Sequence, residues 1–361
     1  MSKNNVNVEE EDDELELDEF IRDKCNSIQT INSLNLLPLT PDLPNCYMYT
    51  VIYSLSNLNK FVNYLIHSNK GQFSYLFGQI SDDERLKHDD LVYDKRKFLN
   101  FWLNECFKYL LNLHVIPEHI SDFNRRFLEN YNIYDLFDCL REYCPMAEED
   151  ASLFLEFLFD NLSEVYKGTA HSESVDSLFK TRFINSYKCK TCSNVTKGPD
   201  DVVTIWRTST ENVDDTGNLI NSFFKTQQLK PFSCENCKNK SEAEILTSTG
   251  GKVPLCLIIQ IGRMNYNNNG AYKSEKYLNF EENLSIQNIE YDLKSIILHL
   301  GDGLMDGHYL VAIKKRIKIK PNDLQQNDLW FILDGNKYEC MFDINNDFIH
   351  RNAILLFYEQ K

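Results

Sequence analysis

Apolar residues follow a helical spacing in the first part of this chain and short strand-like runs in the second, with the change near Gly168. Met48, Val51, Ile52, Leu55, Leu58, Val62 and Leu65 recur at helical intervals, which predicts a helix with Cys46 at or just before its N-terminus. The same spacing runs through FLNFWLNECFKYLLNLHV (98–115) and EEDASLFLEFLFDNLSEVY (148–166), so this half is expected to be mainly α. Beyond Gly168 the predicted strands are DVVTIWR (201–207), PLCLIIQIGR (254–263), LKSIILHL (293–300), HYLVAIKK (308–315), LWFILDG (329–335) and AILLFY (353–358). Asn, Asp and Gly punctuate them. Helices followed by strands imply an α+β fold, not the alternating βαβ of a nucleotide-binding sheet. No repeat and no phosphate-cradling glycine loop is present. YNNNGAY (266–272) and KIKPNDLQQND (318–328) are polar enough to be expected as surface loops.

Residues 1–34 combine acidity, as in VEEEDDELELDEF (8–20), with weak apolar periodicity, and are expected to form a mobile tail outside the fold. They carry no cationic, apolar leader, and no apolar run approaches the roughly 18 residues of a membrane span. The expectation is a soluble chain, cytoplasmic or nuclear, with no membrane partner. A length of 361 residues with 42% hydrophobic content is enough for a sizeable core. The net charge of -16 repels a phosphate backbone, so nucleic acid is not an expected partner. Eleven cysteines, an odd number, point to metal, catalysis or buried thiols and away from a disulfide frame.

Four of those cysteines stand in two CxxC knuckles, Cys189 and Cys192 in YKCKTC, Cys234 and Cys237 in FSCENC, with 41 residues between the knuckles. Two such turns meeting would complete the four-sulfur shell of a closed structural zinc site, leaving no open position for catalysis. Two unrelated buried pairs or a nucleic-acid-binding ribbon are the alternatives, the latter disfavoured by the charge. Cys46 at a helix N-terminus would feel the positive end of the helix dipole, which favours thiolate. His308 opens a strand just after the glycine-rich GDGLMDG (301–307), and Asp334 ends the next strand. Singly, each has an ordinary reading: a packed thiol, a structural histidine, a turn aspartate. Together the order Cys, His, Asp, with the nucleophile on a helix and its partners on adjacent strands, is that of papain-like proteases.

CYMYTVIYSL (46–55), the two knuckles, LCLIIQIGRM (255–264), YLNFEENLSI (277–286), GHYLVAIKK (307–315), WFILDG (330–335) and AILLFY resemble, in order, the signature blocks of ubiquitin-specific proteases. The likeness runs from about residue 39 to the C-terminus, and is nearest to compact members that are little more than a catalytic domain. It implies one catalytic domain over 35–361, with a helical thumb (about 35–167) and zinc-bearing β fingers plus a palm (about 168–361). By position, Cys46 would be the nucleophile, His308 the general base and acid, and Asp334 the residue orienting it. Asp150 in EEDASLFL would pair with an arginine of ubiquitin's tail, with Glu149 nearby; unplaced, the same acidic run is ordinary helix-start chemistry. The resemblance further implies one structural Zn²⁺ per chain, no organic cofactor, ubiquitin or a ubiquitinated protein as partner, and leaves room for an activating protein partner. The implied reaction is thiol hydrolysis of the isopeptide or peptide bond after ubiquitin's C-terminal glycine.

The match departs where the family has Gly, Asn and Thr before the cysteine, since Leu43, Pro44 and Asn45 stand there. Pro41 occupies the place of an asparagine that donates to the oxyanion, and losing such a donor costs about 2.7–4 kcal/mol of transition-state stabilisation. Ser152 and Leu153 replace a polar residue and a glutamate of the tail-binding block. The alternative implied by these departures is a catalytically weak or inactive ubiquitin-binding scaffold with the same fold.

Overall fold

The structure is a computed structural model that describes residues 46–69, 150–166, 178–213, 218–224, 226–251, 253–267, 270–301, 307–317, 327–334, 337–341 and 344–361. The expected acidic tail (1–34), the predicted helix at 98–115 and most of the predicted loop at 318–328 lie outside these residues. The described helices are α1 (Cys46–Ser56), α2 (Asn59–Asn69), α3 (Ala151–Tyr166), α4 (Asn221–Phe224) and α5 (Asp347–Asn352). The strands are β1 (Thr181–Cys189), β2 (Val195–Val203), β3 (Trp206–Ser209), β4 (Gln227–Ser233), β5 (Lys240–Thr249), β6 (Cys256–Gly262) and β7 (Met264–Asn267). They continue as β8 (Gly270–Lys273), β9 (Asn283–Ile286), β10 (Ile289–Leu300), β11 (His308–Ile317), β12 (Asn327–Asp334), β13 (Lys337–Met341) and β14 (Ala353–Gln360). Among the described residues no helix is long and apolar enough to cross a membrane.

The largest sheet runs β13-β12-β11-β10-β14-β6-β3, with β9 pairing β10. Only the β3–β6 pair within it is parallel. Its strands read as nearly unbroken apolar runs because both faces are covered. Alternate residues of β6 and β14 divide cleanly: Ile258, Leu355 and Phe357 join the helix-side core, whereas Leu257, Ile259, Leu356 and Tyr358 face the other core. β12 divides in the same way, Phe331 and Leu333 against Trp330 and Ile332.

Across the helix side lies α1, in which every residue from Tyr47 to Ser56 is buried. A helix apolar nearly all round must be enclosed, and α1 is, by β11, β10 and α3. Its predicted spacing continues through Leu58, yet the chain breaks into two helices at Asn57. The reason is polar. The Asn57 amide donates to the carbonyls of Lys294 (2.6 Å) and Lys314 (3.1 Å), and its oxygen accepts from Lys315 Nζ (2.8 Å). One side chain thus ties the end of α1 to both β10 and β11, in exchange for helix continuity.

A second, four-stranded antiparallel sheet has the order β2-β1-β5-β4. DVVTIWR does not form one strand, because β2 ends at Val203 and belongs to this sheet while β3 starts at Trp206 in the large one. Exposure explains the break: Val202 is 60% exposed, whereas Ile205 and Trp206 are 1% exposed. YNNNGAY also differs from expectation, since its ends form the antiparallel hairpin β7–β8 rather than a loop. Its Tyr266 is exposed, which is why the segment reads as polar.

Candidate active site

Cys46 is the first residue of α1 and is half-buried. Its backbone position puts the sulfur among unpaired helix N–H groups. Burial alone would raise the thiol, but bonds from the His308 side chain and from the Tyr309 and Tyr47 backbone N–H groups hold it below its usual value. β11 supplies two of these, because His308 is its first residue and Tyr309 its second.

β11 and β12 pair with Val311 opposite Leu333, so Asp334, the last residue of β12, stands diagonally across from His308. The His308 Nε2 to Asp334 Oδ1 distance is 2.5 Å. That carboxylate bond, with the Cys46 sulfur adding to it, pushes the imidazole up to about 10 against the opposing effect of burial. With Nε2 committed to Asp334, Nδ1 is the nitrogen left for sulfur. The three residues named from sequence therefore converge as a thiol–imidazole–carboxylate chain, and a lowered thiol beside a raised imidazole is the signature of a thiolate–imidazolium pair.

Asp150 stands immediately before α3 and caps it, its Oδ1 accepting from the backbone N–H of Ser152 (2.6 Å) and Leu153 (3.3 Å). Its charge also reaches His299 on β10, which places it beside the cleft. Ser152 is buried and Leu153 is half exposed on the first turn of α3. Glu149, Pro41 and residues 43–45 lie outside the described residues. Asn57, whose partners are remote in the chain, and His299, a lone histidine within the apolar strand ILHL, carry no sequence signal of their place in the site.

The second constellation lies at one end of the four-stranded sheet. Cys189 and Cys192 flank the β1–β2 turn, Cys234 and Cys237 the β4–β5 turn. Both turns have one geometry: the residue after the second cysteine, Ser193 or Lys238, is left-handed (φ 57° and 54°) and donates its N–H to the carbonyl of the first cysteine. All four sulfurs lie within 4.8 Å of one another. The Cys189–Cys237 and Cys192–Cys234 separations are 3.9 and 3.6 Å. A tetrahedral shell with Zn–S near 2.3 Å requires sulfur separations of about 3.8 Å, so the set fits such an ion. The Asn194 backbone N–H and the Asn236 amide hold the Cys192 thiol below its ordinary value. Cys237 is pushed up to about 11: the Asn239 backbone N–H opposes this rise, but desolvation and hydrogen bonds among the clustered sulfurs outweigh it. A bound divalent cation would relieve that crowding by favouring thiolate at every position.

A family model described as ubiquitin carboxyl-terminal hydrolase matches residues 43–358. Among solved structures, the chain is similar to Ubp8 in a SAGA DUB module with Sgf11, Sus1 and Sgf73 bound to monoubiquitin. The TM-score is 0.67 at 19% identity, covering 99% of this chain and 76% of that one. The same four-protein module bound to ubiquitin aldehyde gives 0.65 at 19% identity, with 99% and 76% covered. A yeast SAGA DUB module with an Sgf73 variant gives 0.61 at 18%, again with 99% and 76% covered. No curated protein matches the chain. The fold is thus the papain-like α+β one expected from sequence.

Proposed function

The chain belongs to the ubiquitin carboxyl-terminal hydrolase family, and from that premise we propose that it is a cysteine deubiquitinase cleaving the bond after ubiquitin's C-terminal glycine. The observation that carries this reading is the bonding of one imidazole, His308, to both Cys46 and Asp334. In this reading α1, α2 and α3 belong to a thumb, the large sheet is the palm and the four-stranded sheet forms the fingers.

The Cys46 thiolate attacks the glycine carbonyl, forming a C–S bond and a tetrahedral oxyanion. The oxyanion then collapses, the C–N bond breaks, and the lysine or α-amine leaves with the proton held by His308. His308, now neutral, takes a proton from water as that water attacks the thioester, and the second collapse returns thiolate and imidazolium. Asp334 keeps the imidazole oriented and supports its positive charge throughout. Asp150 receives an arginine of ubiquitin's tail through the carboxylate oxygen not used in capping α3, and Glu149, its neighbour in sequence, adds a second negative charge.

Cys189, Cys192, Cys234 and Cys237 would hold one structural Zn²⁺, which would cross-link the two turns. The Ubp8 structures contain ubiquitin and partner proteins, and on that likeness a ubiquitinated protein is the substrate and an accessory protein an activator.

A second reading, a ubiquitin-binding scaffold of low activity, is favoured by Pro41 standing in the oxyanion-donor place. A fluorogenic ubiquitin C-terminal amide separates the two. Turnover that vanishes in Cys46→Ser supports the hydrolase; saturable ubiquitin binding without turnover supports the scaffold; absence of both rejects the pair.

A further inference from the structure

We infer that His299 is a positioning residue for His308, its imidazole forming the surface on which the chain at both sides of that residue is set. The inference rests on the hydrolase reading for its meaning, though not for its geometry. His299 lies near the end of β10 in register with Tyr309, one position from the Leu300–His308 pair. Its ring meets the Tyr309 ring edge-on at 4.9 Å and 64°. On the other side, a Cβ added to Gly307 would fall 2.1 Å from His299 Nε2 and 2.6 Å from Cε1. The Gly307 backbone therefore rests directly on the imidazole, with no room for a side chain between them. Residues 307 and 309 both lean on one ring, and residue 308 is held between them.

The ring is itself fixed. His299 is 9% exposed, and its carbonyl accepts from Lys273 Nζ (2.7 Å), which also donates to Asn352 Oδ1 (2.9 Å). Hairpin β7–β8 and helix α5 thus anchor the strand carrying it. The contacts that the ring makes with Tyr309 and Gly307 are contacts of shape. Burial first, then Lys273 and His308, hold the imidazole down to about 4 against the pull of Asp150. Between about pH 4 and 10 it is neutral while His308 is charged, and so over that range it does not repel the imidazolium it supports.

The contact is tested with His299→Ala, Gly307→Ala and the double variant, in the full chain. Misplacing a reacting group by about 1 Å costs up to about 100-fold, so each single variant should lower kcat by roughly 10-fold to 100-fold with KM nearly unchanged. Alkylation of Cys46 by iodoacetamide, followed by mass spectrometry of its peptide, reads the thiolate–imidazolium pair without ubiquitin. Its low-pH limb should move upward in both single variants. The double variant should be no worse than the poorer single one, since both changes break the same contact and the added Cβ's approach to the Leu300 carbonyl (2.8 Å) is common to Gly307→Ala and the double variant. Gly307 is exposed just before β11, so Gly307→Ala keeps the test alive if His299→Ala does not fold. A rise in KM at constant kcat, an alkylation limb that stays in place, or additive losses would each overturn the inference. A wild-type chain that cleaves no ubiquitin substrate would end the hydrolase reading, while the alkylation limb would still decide the role of His299.

Discussion

The four-stranded sheet and the α1–β11–β12 cleft both gather cysteine chemistry, but they hold it by opposite means. In the small sheet, strands β2 and β4 contain no buried residue, and Cys189 and Cys234 are among its few buried side chains. At the knuckle end the sulfurs are its core. In the cleft, Cys46, His308 and Asp334 sit at the ends of elements that are secured elsewhere, by a wholly buried helix and a sheet packed on both faces. There the reactive groups add little to stability and are free to be selected for chemistry. One region should therefore lose its structure with its sulfur shell, while the other should lose only its reaction.

The largest expected effect comes from breaking the sulfur shell. Structural zinc-thiolate sites contribute about 10–16 kcal/mol of apparent binding energy. Chelation, or Cys189→Ser with Cys234→Ser, should abolish hydrogen-exchange protection in β1, β2, β4 and β5 while β6, β10 and β14 keep theirs. Metal analysis should find one ion per chain. Retained protection in the small sheet would erase the contrast between the two regions.

Next comes Asp334→Asn, which removes the charge supporting the imidazolium and should cost roughly 100-fold to 10,000-fold in kcat/KM with little change in melting temperature. Its pH behaviour sharpens the point. His308 is raised from 6.5 to about 10 in the folded chain; its contribution to stability, kept small by solvent screening because the ion pair is partly exposed, is present below its unfolded value and is lost as pH rises through about 10. The Cys46 alkylation profile should be flat through neutral pH and change again near that upper value. In Asp334→Asn the upper limb should fall toward the ordinary histidine range.

The smallest change concerns the join between α1 and the large sheet. Asn57→Ala strands two carbonyls and leaves Lys315, itself held down to about 8 by burial, without its oxygen acceptor. Leaving buried polar groups unsatisfied costs about 1–3 kcal/mol, measurable as a lower urea midpoint with the denaturant slope unchanged. No loss would mean that helix packing alone seats α1.

Much of this architecture is legible in the sequence because it depends on local signals. A helix starts at Cys46, β11 starts at His308 and β12 ends at Asp334, where apolar spacing and flanking Pro, Gly and Asp mark the boundaries. The CxxC turns were equally plain. What stayed hidden depends on partners remote in the chain. The apolar run through Leu58 gives no hint that Asn57 will prefer carbonyls of β10 and β11 to an unbroken helix. DVVTIWR has one texture but divides between two sheets, since Ile205 and Trp206 are enclosed in the core while Val203 is only partly buried against it and Val202 is exposed. The histidine of ILHL looks like a core residue until Gly307 is found lying on its ring.

The most direct test of the central claim is labelling with ubiquitin bearing an electrophilic C-terminus, with the attachment site mapped by mass spectrometry. The account predicts a single adduct on Cys46, absent in Cys46→Ser and strongly slowed in His308→Ala. Ubiquitin that binds while Cys46 stays unmodified, or an adduct on any other cysteine, would contradict it.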